Sequence, residues 1–292
     1  MVKILITGSN GQLGQCLKDR ASSFGFDVVA VDSSDLDITQ QNEVVEFINR
    51  VQPAAIINAA AYTAVDKAEV EFDAAYHVNA LGPKYLALMA SELNIPLFHV
   101  STDYVFDGTG CKAYKPSDTP CPAGIYGKTK LAGERFVLDS HVKSLVVRTA
   151  WVFSEYGNNF VKTMLRLGKE REELGVIADQ YGCPTYAGDL AQTLLSLLSS
   201  ALTQDDWQGY GVHHFCGDEA TSWHGFTRTI LQFAHKAKMI ECLPKLNAIK
   251  TEDYPLPAVR PAYSVMDCTS LETLVSENRD WKKSLGHVLG KL

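Results

Sequence analysis

No apolar run in the 292 residues approaches the ~20 that a helix needs to cross a bilayer. No block of Lys or Arg stands out either, and the net charge is -7. A membrane protein and a binder of the nucleic-acid backbone are therefore not expected. Met1-Val2-Lys3-Ile4-Leu5-Ile6-Thr7 passes into glycines too early for a signal peptide, so a cytoplasmic location is expected. The seven cysteines (16, 111, 121, 183, 216, 242 and 268) are odd in number and never form C-x-x-C, which argues against a disulfide framework or a zinc site. The eight histidines show no ligand spacing. Their only close pair, His213-His214, reads as the alternate faces of a strand, and no metal site is predicted.

What is present is a globular composition, 46% hydrophobic, that can fill one large domain or a domain with a smaller companion. Lys3–Thr7 is an apolar run ending in glycines, followed by a helical pattern through Leu13, Cys16, Leu17 and Ala21. The rhythm recurs with strands at Asp27–Val31, Ala55–Asn58, Pro96–Val100 and Ser144–Arg148, and helices at Asn42–Val51, Ala74–Leu93 and Ala123–Leu138. Such alternation predicts an α/β fold, a Rossmann-type doubly wound parallel sheet covered on both faces, with roughly six strands by residue 150. Residues 1–150 are expected to form the dinucleotide-binding domain and 151–292 mainly a smaller α/β substrate-binding lobe, with about 174–202 returning to the first domain. In the second half, helices are predicted at Phe160–Glu173, Leu190–Leu202, Trp223–Lys238 and Trp281–Leu289, and a strand at Gly175–Ala178. The run Tyr254–Pro261 holds three prolines and cannot be helix interior.

Gly8-Ser9-Asn10-Gly11-Gln12-Leu13-Gly14 joins the first strand to the first helix. Glycines there allow a tight turn and close backbone approach to a pyrophosphate at the helix N-terminus. Asp32, after the second strand, is placed to accept hydrogen bonds from an adenosine ribose, which suits NADH. Ser33 and Ser34 beside it could hold a 2′-phosphate, which keeps NADPH open, and Asp37 is a second acid near the adenine. Ser101-Thr102-Asp103-Tyr104 puts hydroxyls at a strand's carboxyl end, facing the ligand crevice. Tyr126 and Lys130 stand four residues apart, on one face of a helix, where a neighbouring cation lowers a phenol's pKa.

Glycine turn, Thr, Tyr and Lys in this order resemble the extended short-chain dehydrogenase/reductase superfamily. Asn58–Glu69, Ser101–Phe106, Tyr126–Glu134, Arg148–Phe153, Asn158–Met164, Asp179–Thr185 and Arg260–Ser264 are similar to the signatures of the dTDP-4-dehydrorhamnose reductase family. The resemblance covers nearly the whole chain and implies NADPH- or NADH-dependent reduction of the C4 ketone of a dTDP-sugar. Tyr126 would then give a proton to the C4 oxygen, Lys130 would hold the nicotinamide ribose and lower the pKa of Tyr126, and Thr102 would bond the same oxygen. Gly8, Asn10, Gly11, Gln12, Leu13, Gly14, Asp32, Asp37, Ala60, Ala61 and Tyr62 would line the cofactor. Thr102, Asp103, Trp151, Asn159 and Arg260 would face the nucleotide sugar, the Arg fork suiting a diphosphate. Trp151 can equally be a core aromatic, Asn159 a helix cap and Arg260 a surface charge.

Some members of that family are metal-linked dimers whose glutamates correspond to Cys16 and Gly188 here. A magnesium bridge is therefore not expected, while Mg2+ with the diphosphate and a homodimer stay open. Two other readings compete. A 4,6-dehydratase or epimerase shares Thr, Tyr and Lys, but dehydratases resemble Thr-Asp-Glu where this chain has Tyr104. The regulatory subunit of methionine adenosyltransferase resembles these reductases and acts by binding.

Overall fold

The computed structural model describes residues 1–276 and 278–292. Its first half runs β1 (Val2–Thr7), α1 (Gln12–Ala21), β2 (Phe26–Val31), α2 (Gln41–Val51), β3 (Ala55–Asn58), α3 (Val65–Ala68), α4 (Phe72–Tyr76), α5 (Gly82–Glu92), β4 (Leu97–Thr102), α6 (Ile125–Ser140) and β5 (Ser144–Thr149). The second half holds β6 (Val152–Phe153), α7 (Phe160–Glu170), β7 (Glu173–Ile177), β8 (Tyr181–Gly182), β9 (Thr185–Tyr186), α8 (Ala187–Thr203) and β10 (Gly211–His214). It ends with β11 (Thr221–Ser222), α9 (Trp223–Lys236), β12 (Lys245–Ile249), α10 (Thr269–Glu272) and α11 (Trp281–Leu289).

Six parallel strands form the central sheet in the order β10-β5-β4-β3-β1-β2. The period-two alternation of a strand divides its apolar residues between two cores. Ile4 and Ile6 pack with α1 and α8, whereas Leu5, between them, packs with α2 and α5. Parallel strands buried on both faces are apolar throughout, which is why these segments were readable as continuous runs.

Three expectations need correction. Only five sheet strands lie before residue 150; the sixth is β10, a four-residue strand whose His213-His214 gives no apolar run to detect. The stretch 174–202 divides: β7 pairs with β12, away from the main sheet, while α8 packs on α1. The helix expected over Ala74–Leu93 is interrupted by a π-helical turn, His77–Leu81. Such turns reorient single side chains. Here buried Asn79 accepts from Tyr62 N at 2.8 Å and donates to Tyr62 O at 3.1 Å and Thr129 Oγ1 at 3.2 Å. One side chain thus fixes the loop after β3 to the helix carrying Tyr126.

A third core gathers α7, α9 and α11 around Phe153, Phe226 and Trp281. No helix of the described residues is long and apolar enough to cross a membrane.

Candidate active site

A cleft of about 750 Å³ opens at the carboxyl ends of the sheet strands, where open α/β sheets bind ligands. At one end is the glycine turn. Gly8 has φ +68, and a Cβ there would stand 2.6 Å from Ala60 N and 2.7 Å from Ala59 C, both backbone atoms that cannot yield. Gly11 caps α1 without any side-chain hydrogen bond, leaving the first-turn N–H groups of a ten-residue helix facing the cleft. Unfilled donors at a helix N-terminus beside a wall stripped of side chains suit a pyrophosphate. Gly8→Ala is expected to weaken NAD(P)H binding by more than tenfold (about 1.4 kcal/mol per tenfold), as read by fluorescence titration.

Asp32 accepts from Ser34 N at 2.9 Å and Ser34 Oγ at 2.7 Å, and its other oxygen accepts from Asn10. The Ser34 bonds hold its carboxyl below the usual range, so an ionised acceptor stands at this end of the cleft. Asp37 similarly accepts from Thr39 N and Oγ1. Tyr62 donates to Glu71 Oε2 at 2.6 Å.

At the other end, α6 presses on the turn after β4. A Cβ on Gly127 would collide with Tyr104 O, so the missing side chain lets α6 come close. Glu69 Oε1 accepts from Ile125 N at 2.9 Å and helps seat the helix start. The approach brings the Tyr126 phenol beside the Thr102 hydroxyl, close enough for that hydroxyl to favour its ionised form. The Tyr104 ring meets Tyr126 edge-on, with centroids 5.4 Å apart. Thr102 Oγ1 donates to Asp103 Oδ1 at 3.0 Å and accepts from Tyr104 N at 3.3 Å.

The ionisation state of the Tyr–Lys pair differs from the sequence expectation. Burial pushes the Tyr126 phenol up to about 12; the Thr102 bond opposes this and the Asp103 charge adds to it. Lys130 brings no offsetting fall, because its ammonium, 1% exposed, donates to Val100 O at 2.7 Å. Burial lowers Lys130 to about 8, against the pull of Glu134. The phenol therefore holds its proton, as an acid catalyst must before it acts. Behind the pair, Glu134 and Arg148 form a buried two-pronged ion pair at 2.7 and 2.9 Å.

All the cofactor and catalytic residues expected from the sequence line the cleft, as do Asp103 and Trp151. Trp151 has φ +49, an uncommon conformation for a bulky residue, and stacks on Trp223 with centroids 3.5 Å apart. Two expected sugar contacts are not on the lining. Asn159 caps α7 by accepting from Lys162 N at 3.1 Å, and its amide donates to Ser154 O at 2.8 Å and Gln12 Oε1 at 2.9 Å. Its neighbour Asn158 reaches the cleft instead. Arg260 pairs with Asp66 at 2.6 Å, and its charge is felt by Tyr104. Gln12 lines the cleft as expected, and its side chain also accepts from Ser154 Oγ at 3.0 Å and donates weakly to Val152 O, tying the glycine turn to the second lobe. Ser101 and Tyr104 line the cleft as the strand-end position implied, whereas sequence reading missed Thr149 on the lining and Asn79 behind it. A buried-looking Asn inside an apolar helical run was the available signal for Asn79.

Magnesium fits poorly at the positions that resemble a metal bridge. Burial pushes the Cys16 thiol up to about 12, and a side chain on Gly188 would meet the Tyr186 ring and the Arg20 guanidinium. A fixed cation there opposes a divalent ion. Among the described residues no group of three or more His, Cys, Asp or Glu could hold a metal.

Comparison with known proteins agrees with this geometry. The RmlD substrate binding domain family matches residues 2–292. A dTDP-4-dehydrorhamnose reductase of Aggregatibacter actinomycetemcomitans is 46% identical over 290 residues, 99% of this chain and 98% of that protein. The crystal structure of a dTDP-4-dehydrorhamnose reductase from Clostridium acetobutylicum superimposes with a TM-score of 0.91 at 41% identity, covering 99% of each chain. That of the Bacillus anthracis reductase in complex with NADP gives 0.91 at 37%, covering 100% of each.

Proposed function

Because the chain belongs to the RmlD substrate binding domain family and is similar over its full length to several dTDP-4-dehydrorhamnose reductases, we propose that it reduces the C4 ketone of dTDP-4-dehydro-L-rhamnose to dTDP-L-rhamnose. It is an NAD(P)H-dependent oxidoreductase of dTDP-rhamnose biosynthesis, a supply line for cell-surface polysaccharide. The observation that carries the reading is a neutral phenol, Tyr126, touching Thr102 in the cleft that the glycine turn opens.

When bound, the nicotinamide supplies the hydride. Every other task falls to the chain's own backbone and side chains. Gly8, Gly11 and the first turn of α1 hold the pyrophosphate, Asp32 the adenosine ribose, and Lys130 the nicotinamide ribose. Tyr126 releases its proton to the C4 oxygen as negative charge builds there, and Thr102 steadies that charge through a hydrogen bond. The half-buried aromatic wall of Trp151 and Tyr104 excludes water from the sugar. Arg260 is the diphosphate's partner in this reading; Nη1 is buried without a hydrogen-bond partner and can accept that task while Nη2 stays on Asp66.

Tyr104 favours reduction over elimination, because no carboxylate stands in the third place of the Thr-Asp-Tyr run to serve as a base. The cofactor must exchange at each turnover, so protein purified with stoichiometric NAD⁺ would contradict the reading. The direct test is oxidation of NADH and of NADPH by dTDP-4-dehydro-L-rhamnose, followed at 340 nm as ordinary nicotinamide absorbance. Turnover with either cofactor is expected; none with both overturns the assignment. A cytoplasmic location is consistent with the cofactor pool it would draw on, and light scattering would tell a homodimer from a monomer.

A further inference from the structure

Asp103 lies on the cleft floor, 2% exposed, and its Oδ2 is buried with no hydrogen-bond partner. No ion pair with Asp103 is found among the described residues. The groups that face it are the Thr102 and Ser264 hydroxyls and the Tyr104 and Tyr126 phenols. Arg260 acts on Tyr104 but is neutralised by Asp66, and Lys130 is held on the Val100 carbonyl. A carboxylate oxygen left without a donor in such a place is costly; the carbonyl oxygen of an acid is far less so. Burial pushes Asp103 up to about 6, against the Ser264 and Thr102 hydroxyls and the Asp103 and Tyr104 N–H groups, which favour the carboxylate; a filled cleft with less water moves it further up.

Counting donors shows what that proton does. The Thr102 hydroxyl has one hydrogen and two lone pairs. Tyr104 N–H occupies one lone pair. If Asp103 is an acid, its O–H occupies the other, across the 3.0 Å contact. The Thr102 hydrogen must then point to the phenol and the reacting oxygen. If Asp103 is ionised, it takes the Thr102 hydrogen, and the vacated lone pair draws the Tyr126 proton. Both protons are then turned away from the ketone.

We propose that Asp103 is a positioning residue that works as a carboxylic acid, setting the direction of the Thr102 hydroxyl and leaving the Tyr126 proton to the ketone. This rests on the reductase reading above. No covalent bond to Asp103 forms at any step; the proton delivered is that of Tyr126.

The test compares kcat against pH for the intact enzyme, Asp103→Asn and Asp103→Ala, with folding checked by circular dichroism and NAD(P)H binding by fluorescence. The amide of Asn donates at every pH, whereas Ala never does. The wild type is expected to lose turnover as pH rises through a midpoint between about 6 and 7. Asp103→Asn lacks that midpoint and exceeds the wild type by about threefold or more at pH 7.5 (the ionised fraction one unit above a midpoint being about nine-tenths). Asp103→Ala falls below both at every pH. The proposal is overturned if Asp103→Asn keeps the wild-type midpoint, if the two variants behave alike, or if folded Asp103→Asn binds NAD(P)H but is inactive throughout. An infrared titration of 13C-aspartate-labelled wild type is the second measurement and needs no variant or substrate. A protonated carboxyl band that persists above pH 5 supports the proposal, and its absence overturns it. Should the wild type reduce no keto sugar, the reductase reading fails, while the infrared band still decides the state of Asp103.

Discussion

Tyr126→Phe lowers kcat by roughly 10²-fold or more, the scale of losing a general acid. The substitution removes one oxygen and leaves the ring, so the edge-on contact with Tyr104 and the seat of α6 against the turn after β4 are retained. NAD(P)H affinity should change by less than about twofold, well under 1.4 kcal/mol. The loss therefore appears in kcat at saturating cofactor and sugar, and stopped-flow oxidation of bound NADPH measures it directly. Thr102→Val should lose less, because Thr102 orients and stabilises but carries no transferred proton. Turnover equal to the wild type in Tyr126→Phe would falsify the assignment of the acid.

Glu134→Gln strikes both the fold and the chemistry. The side chains of Glu134 and Arg148 are 2% and 4% exposed, so removing one charge leaves the other buried and unpaired. Breaking such a pair costs about 3–5 kcal/mol, readable as a lower urea midpoint with unchanged slope. Replacing both partners, with Glu134→Leu and Arg148→Met, should restore most of that stability, since no charge is left stranded. The same carboxylate supports the ammonium of Lys130, one helical turn away, against the burial that lowers it to about 8. The sign is fixed: the ammonium is present below that value and lost above it. In Glu134→Gln the alkaline fall of kcat/KM must move to lower pH, whereas an effect on stability alone would leave the profile in place.

The catalytic order of the chain was legible because it is written locally. A strand ending in glycines, a hydroxyl at a strand's end and a Tyr–Lys pair on one helical face each depend on residues a few positions apart. The apolar runs of β1 to β5 were legible for the same reason: buried parallel strands carry little polar interruption. What escaped depends on partners far away in sequence. β10 offers two histidines and no apolar run, and becomes a strand only because β5 supplies its hydrogen-bonding edge. Asn159 reads equally as a cap or a ligand until Gln12, 147 residues distant, is seen to accept its amide. Arg260 likewise meets Asp66 across 194 residues. The Tyr126 phenol was misjudged for another reason: spacing gives the lysine's proximity along the helix, but not the burial that outweighs it nor the Val100 carbonyl that holds the ammonium.

The knot of Gln12, Ser154 and Asn159 bears on how ligands come and go. It fastens the landing place of the pyrophosphate to the start of α7, so the two walls of the cleft are cast as one piece during folding. A dinucleotide meets a mould already set, and the entropy of bringing the walls together is not charged against its binding.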